Sequence, residues 1–217
     1  MERLKERVLR LTYQILFTAG LALLFWWRRL AESELAGKLV LLQNRLLVGK
    51  SYDRWINMAA GWYGLALEQA VSQAVRLSDR QISTIVDCGT GTGFVSCHVA
   101  KRFPDARIVA VDGIHDMLKV ARENIGEVTN KGTFVRAELR MLPLGNGIAD
   151  LVVAQNTIPV LREFVRICRP GGVIVFAESG VPTLAPIARR AAERLKTFDV
   201  IEARRAGAGF YLVARRA

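Results

Sequence analysis

Histidine is almost missing from this chain. Only His98 and His115 occur in 217 residues, too few for a histidine-based metal centre. Cysteine is scarce as well: Cys88, Cys97 and Cys168 make no C-x-x-C pair and supply no thiolates at zinc spacing, so no metal is expected. Their odd number, with two of them beside glycine- or proline-containing loops, reads as reduced thiols of a cytosolic domain. There is no internal repeat and no low-complexity tract, which removes solenoid and disordered architectures. Acidic residues are outnumbered, 20 against 31 basic ones, for a net charge of +11.

A charge of that size raises the question of a nucleic-acid partner, and its placement bears on the answer. Residues 1–50 and 186–217 carry about +5 each, leaving the middle close to neutral. Basic ends beside apolar stretches suit anionic lipid headgroups at least as well as an RNA groove. Half of the residues are apolar, and the length suffices for one α/β domain plus an N-terminal extension.

Residues 11–27 are almost uninterruptedly apolar and close on Phe25-Trp26-Trp27 before Arg28-Arg29, the composition of a membrane interface. As a helix they would measure about 25 Å, short of a hydrocarbon core of roughly 30 Å. A cleaved signal peptide fits poorly, because bulky Trp and Arg stand where a small-residue cleavage site belongs. The alternative is a buried helix of the soluble domain. Residues 35–48, with polar side chains spaced among leucines, suit a second interfacial helix or a lid.

The centre of the chain is Ile85-Val86-Asp87-Cys88-Gly89-Thr90-Gly91-Thr92-Gly93-Phe94-Val95, a strand that breaks into three alternate glycines and restarts as a helix. Glycines at such a junction let a ligand approach main-chain N–H groups near a positive helix N-terminus, which implies a carboxylate or phosphate on the ligand. The spacing is not G-x-G-x-x-G, the dinucleotide fingerprint, since the third glycine comes one residue early and Asp87 stands two positions before the first. Arg107-Ile-Val-Ala-Val-Asp112 is a second buried-strand run ending in an acid some twenty residues on, where a carboxylate can take both hydroxyls of a ribose.

The D-x-G-x-G-x-G pattern resembles motif I of the class I S-adenosylmethionine (SAM) methyltransferases. Further landmarks follow in that family's order: Asp112, then Thr133-Phe-Val-Arg-Ala-Glu138 with Leu139-Arg-Met-Leu-Pro143, then Ala149-Asp150-Leu-Val-Val-Ala-Gln155-Asn156, then Arg169-Pro170-Gly171-Gly172 leading into a strand that ends at Glu178. The resemblance covers residues 80–217 and is closest to the ubiquinone/menaquinone C-methyltransferase type. It implies an α/β, Rossmann-like, seven-stranded and mostly parallel sheet with one antiparallel strand and helices on both faces. The expected division is a membrane-associating helical extension over residues 1–50 and a methyltransferase domain over 51–217. Helices are expected at 68–77, 94–103, 117–125 with Gly126 as C-cap, 157–168 and 186–196. A closing hairpin is expected from 202–204 and 210–215, joined by residues 205–209.

The resemblance also implies roles. Gly89, Gly91 and Gly93 would bring backbone against the amino-acid arm of SAM, and Asp87 would engage its ammonium directly or through water. Asp112 would take the ribose, with Gly113 and Met117 beside the adenine. Glu138, standing where the family often has Asp, would accept from the adenine N6 amine with the Leu139 N–H nearby. Gln155 and Asn156 would face the methyl-transfer side. Tyr52, in Ser51-Tyr52-Asp53-Arg54-Trp55, resembles an aromatic that closes over SAM, or else belongs to an amphipathic helix packing Trp55 and Trp62 on the core. His115 is expected at a loop surface, and His98 as structural. No catalytic base is evident.

Because SAM is made and kept in the cytosol, the domain is expected on the cytosolic face of a membrane. A single span would put the basic N-terminus outside, against the positive-inside tendency, so an interfacial helix is favoured. The expected acceptor is a small lipophilic molecule such as a quinone or lipid, with nucleic acid unlikely. Three rivals stand beside it. An NAD-dependent reductase would leave the hairpin unexplained, and Tyr-x-x-x-Lys is missing; an RNA methyltransferase would use the basic termini; a SAM-binding membrane protein would lack turnover. The Asn/Asp-Pro-Pro-aromatic signature of adenine-N6 and amide methylation is absent at Gln155-Asn156-Thr157-Ile158-Pro159.

Overall fold

The computed structural model describes residues 64–179, 198–207 and 209–217. The extension expected over 1–50, the 51–55 element with Tyr52, and the helix expected over 186–196 lie outside the described residues. Among the described residues no helix is long and apolar enough to cross a membrane.

Apolar runs without alternation predict strands buried on both faces. The structure has them in β1 (Thr84–Cys88), β2 (Arg107–Asp112), β4 (Ala149–Gln155) and β5 (Cys168–Glu178), which with the more exposed β3 (Gly132–Arg136) and β6 (Phe198–Ala206) and with β7 (Gly209–Arg216) form one seven-stranded sheet. Its order is β3-β2-β1-β4-β5-β7-β6. β1 to β5 pair in parallel, and β7 runs antiparallel to both neighbours.

Four helices described here are α1 (Leu65–Leu77), α2 (Phe94–Arg102), α3 (His115–Gly126) and α4 (Leu161–Ile167). One face of the sheet presents Ile85, Ile108, Leu151, Val153, Val175 and Val213 to Leu67, Val71 and Ala74 of α1 and to Val95 and Val99 of α2. α3 adds Ala121 and Ile125 over Ala110. The opposite parity, including Val86, Val109, Val152, Ile174 and Phe176, is equally buried, so both faces are covered.

Several boundaries differ from the sequence expectations. α4 begins at Leu161, not Thr157, because Pro159 biases Ile158 away from helical backbone and Asn156 has φ of 51°. Cys168 is a strand residue paired with Ala149, and Arg169 to Gly172 bulge out before Leu151 meets Val173. α3 starts at His115, and Gly126 is its last residue with Glu127 as the cap in ordinary right-handed backbone. The hairpin strands are longer than expected, since cross-strand pairing extends to Ala206 opposite Gly209.

The amino edge of the sheet is locked by Asp150. Its carboxylate accepts from Arg169 Nε at 2.7 Å, Arg80 Nε at 2.9 Å, Ser83 Oγ at 2.8 Å and the Ser83 and Thr84 N–H groups at 3.0 and 2.9 Å. Arg169 also reaches Asp79 at 2.6 Å. Burial pushes the Asp150 carboxyl up, but the donors from Arg169, Ser83 and Arg80 outweigh it and hold it far below the usual carboxylate range.

Candidate cofactor site

The order in which successive strands are added reverses between the parallel neighbours β1 and β4, since β2 and β3 build out to one side and β4 and β5 to the other. In open α/β sheets ligands bind at the carboxyl ends of the strands beside that point. The glycine loop, Asp112, residues 137–142, Gln155-Asn156 and Ser179 all sit there.

The three glycines are constrained by three different neighbours. All have positive φ. A Cβ on Gly89 would stand 2.9 Å from Thr157 Oγ1, and one on Gly93 would stand 3.1 Å from Ile125 Cγ1 and 3.2 Å from Ala121 Cα. Those two positions are packing constraints, one against the β4 loop and one against α3. Only at Gly91 would a Cβ meet nothing within 4 Å.

The loop's amides are largely spoken for within the protein. Gly89 and Thr90 N–H both donate to Val111 O at 2.9 Å, Gly93 N–H donates to Thr90 O at 2.9 Å, and Gly91 N–H donates to Asp112 Oδ2 at 2.9 Å. The sequence expectation of loop N–H groups offered to an anion is therefore not met at these four positions. What the loop offers is a bare backbone surface at Gly91, edged by a carboxylate.

Asp112 lies at the end of β2, half-buried, with Oδ1 accepting the Ile114 N–H at 2.8 Å. Burial raises its pKa against the lowering effect of the Ile114 and Gly91 amides. Each carboxylate oxygen accepts one backbone donor and retains capacity for another, which suits a pair of vicinal hydroxyls. Gly113 is half-buried, and Met117 in the first turn of α3 is buried.

Asp87 is fully buried at the end of β1. Its Oδ2 accepts from Thr90 Oγ1 at 2.7 Å and Ser96 Oγ at 2.6 Å, while Oδ1 has no partner among the described residues. Burial pushes its pKa up to about 6, although Ser96 and Thr90 work in the opposite direction. Neither hydroxyl stands out in the sequence. The available signal is that Thr90 lies three residues after the acid and Ser96 in the first turn of α2, on the side facing back to the strand end.

Beyond β3, Glu138 is exposed and Leu139 half-buried. Their loop is pinned to α4: Arg166 donates to Leu142 O at 2.9 Å, Leu144 O at 2.7 Å and Asn146 Oδ1 at 2.9 Å, and Glu163 accepts the Leu142 N–H at 2.9 Å. This Arg166–Glu163 clamp was not legible in the sequence, because its targets are backbone atoms some twenty residues away.

At the ends of β4 and β5, Gln155 Nε2 donates to Ser179 Oγ at 2.6 Å and Asn156 Oδ1 accepts the Ser179 N–H at 2.8 Å. Asn156 Nδ2 is enclosed without an acceptor among the described residues. The two histidines are apart from this edge chemistry: His115 is exposed at the start of α3, and His98 is half-buried on α2 with its pKa lowered by burial. Among the described residues no three His, Cys, Asp or Glu side chains cluster for a metal.

Residues 85–172 match the family described as a methyltransferase domain. Over 103 residues the chain is 37% identical to a malonyl-[acyl-carrier protein] O-methyltransferase of Geobacter sulfurreducens, covering 44% of this chain and 38% of that one. It is 31% identical over 106 residues to a ubiquinone/menaquinone biosynthesis C-methyltransferase of Syntrophotalea carbinolica, covering 46% and 45%. The chain thus spans less than half the length of these relatives. A SAM-dependent methyltransferase from Aquifex aeolicus shares the fold, with a TM-score of 0.63 at 17% identity over 81% of this chain and 97% of that one. The open surface at Gly91 beside Asp112, the buried acid at Asp87 and the buried amide at Asn156 fit a ribose joined to a zwitterion, and it is on residues 85–172, which carry all of these, that the match to a methyltransferase domain falls.

Proposed function

We propose that the chain transfers a methyl group from SAM to a small lipophilic acceptor, a quinone, lipid or similar molecule, at the cytosolic face of a membrane. The cofactor half of this reading rests on one observation: the space over Gly91, where an added Cβ would meet no atom of the described residues within 4 Å, beside the Asp112 carboxylate. The acceptor half is supported by the apolar residues 11–27 ending in Trp26-Trp27-Arg28-Arg29 and by the relative named for ubiquinone/menaquinone biosynthesis.

When bound, SAM supplies a methyl carbon on a sulfonium, an electrophile that needs alignment and exclusion of water more than activation. Asp112 accepts the ribose hydroxyls on the capacity its backbone bonds leave over. Asp87 Oδ1 would take the ammonium, directly or through water. Met117 and Gly113 form an apolar wall for the adenine, and Glu138 with the Leu139 N–H addresses the adenine edge from the loop that Arg166 holds. Gln155 keeps the β4 end against Ser179, so that the acceptor meets a fixed surface.

The test is to incubate membranes carrying the full chain with methyl-labelled SAM and a total lipid extract. Label is expected in the organic phase. Label in RNA would establish the rival that works through the basic termini, and binding without transfer to any fraction would establish a non-catalytic cofactor binder.

A further inference from the structure

The strain and the unmet donor at the end of β4 coincide on one residue. Asn156 is the one non-glycine among the described residues with positive φ, at 51°. Asparagine tolerates that backbone better than most residues, and such conformations concentrate where structure holds a group for a ligand. Its backbone N–H is bound to Ala177 O at 3.0 Å and its side chain to the Ser179 N–H at 2.8 Å, so both ends are tied to β5. The second bond also settles the amide's orientation. A backbone N–H can only donate, so the atom facing Ser179 is the oxygen, and the enclosed atom without a partner is Nδ2.

A buried donor without an acceptor destabilises the fold until a ligand or water supplies one. The neighbouring strand holds the opposite defect: Asp87 Oδ1, a buried acceptor without a donor. Asp87 stands level with Val153, and Asn156 comes three residues later, just past the end of β4. One strand spacing and three residues of rise separate their Cα atoms by about 11 Å, too far for one side chain to satisfy the other. A group carrying both an ammonium and a carboxylate satisfies both. The loop amides of Gly89, Thr90, Gly91 and Gly93 are not free to receive that carboxylate, since each is bonded within the protein. Thr157, the next residue, packs directly on Gly89, which places Asn156 beside the glycine loop.

We propose that Asn156 Nδ2 donates a hydrogen bond to the carboxylate of the cofactor's amino-acid arm, making Asn156 a cofactor-binding residue rather than a contact of the methyl acceptor. This rests on the SAM reading above. Asn156 and Asp87 then read the two ends of one zwitterion from adjacent strands.

The experiment measures calorimetric affinity of the full chain for S-adenosylhomocysteine and for 5′-methylthioadenosine, which keeps the nucleoside and lacks both the carboxylate and the ammonium. Asn156→Asp retains the acceptor for Ser179 and the tolerance for positive φ, but turns the donor into a carboxylate. It should weaken S-adenosylhomocysteine at least tenfold and leave 5′-methylthioadenosine within twofold of wild type. Asn156→Gly, which suits the backbone and lacks the amide, should show the same selectivity with a smaller loss. Unchanged S-adenosylhomocysteine affinity in both variants would overturn the proposal and leave Nδ2 to an ordered water. Equal weakening of both ligands would also overturn it, since that marks a structural role. Failure of the wild type to bind either ligand would instead defeat the SAM reading, a distinct result.

Discussion

Adding one methyl group to each motif glycine in turn separates ligand space from packing space. At Gly93 an added Cβ would sit 3.2 Å from Ala121 Cα, a backbone atom that cannot swing aside. Overpacking of this kind costs about 1–3 kcal/mol, and the left-handed backbone adds about 1–2 kcal/mol for any L side chain. Gly93→Ala should therefore lose about 2–5 kcal/mol of stability. In a domain of this size each kcal/mol moves Tm by about 2–4 °C. At Gly91 the backbone penalty alone applies, because the methyl enters open space, and the fold should lose only about 1–2 kcal/mol. If the cofactor lies over Gly91, that same methyl intrudes on it at an overpacking cost of about 1–3 kcal/mol, or about 5- to 150-fold in Kd. The assay is paired: Tm of the ligand-free protein and calorimetric Kd for S-adenosylhomocysteine. The expected pattern is a small Tm loss with a large affinity loss for Gly91→Ala, and a large Tm loss for Gly93→Ala. A Gly91→Ala protein that binds as tightly as wild type would refute the assignment of that space to the ligand.

Asp112→Ala removes the acceptor of two backbone amides as well as two ribose bonds worth about 1.5–3 kcal/mol each, so S-adenosylhomocysteine should bind at least a hundredfold more weakly; an unchanged Kd in folded protein would remove the ribose role. Asp87 has a folded pKa of about 6, above its ordinary value of 3.8, so the folded state holds the extra proton between those values and stability should fall as pH rises through that window. Asp87→Asn should flatten that slope in urea titrations of ligand-free protein at pH 4.5 and 7, by an amount on the order of 2 kcal/mol; an identical slope in both proteins would show that Asp87 is not the group titrating. Asp150→Ala removes one of the two carboxylates paired with a nine-tenths-buried Arg169 and the acceptor of the Ser83 and Thr84 N–H groups, and should cost about 3–5 kcal/mol, read as a Tm drop with the SAM site intact at lower temperature. Deleting residues 1–29 should move the protein to the soluble fraction while S-adenosylhomocysteine still binds; loss of binding with unfolding would make that segment part of the core.

The sequence by itself determined the strands and the chemistry at their ends. β1, β2, β4 and β5 are apolar on both faces, a pattern that suits only strands covered by layers on either side, and each ends in a polar or glycine residue that stops it. Asp87, the glycines and Asp112 are therefore legible from local pattern alone. Where two distant segments meet, local pattern is silent. That Gly89 is held by Thr157, that Gly93 makes room for α3, and that only Gly91 is left open follows from β4 lying beside β1 and α3 crossing the loop. The start of α4 moved from residue 157 to 161 because residues 156–157 are drawn to β5 and the glycine loop, a tertiary pull on segments with no helical fault before Pro159. The orphaned atoms of Asp87 and Asn156 were decided last of all, since a partner is missing only once every neighbour has taken its place.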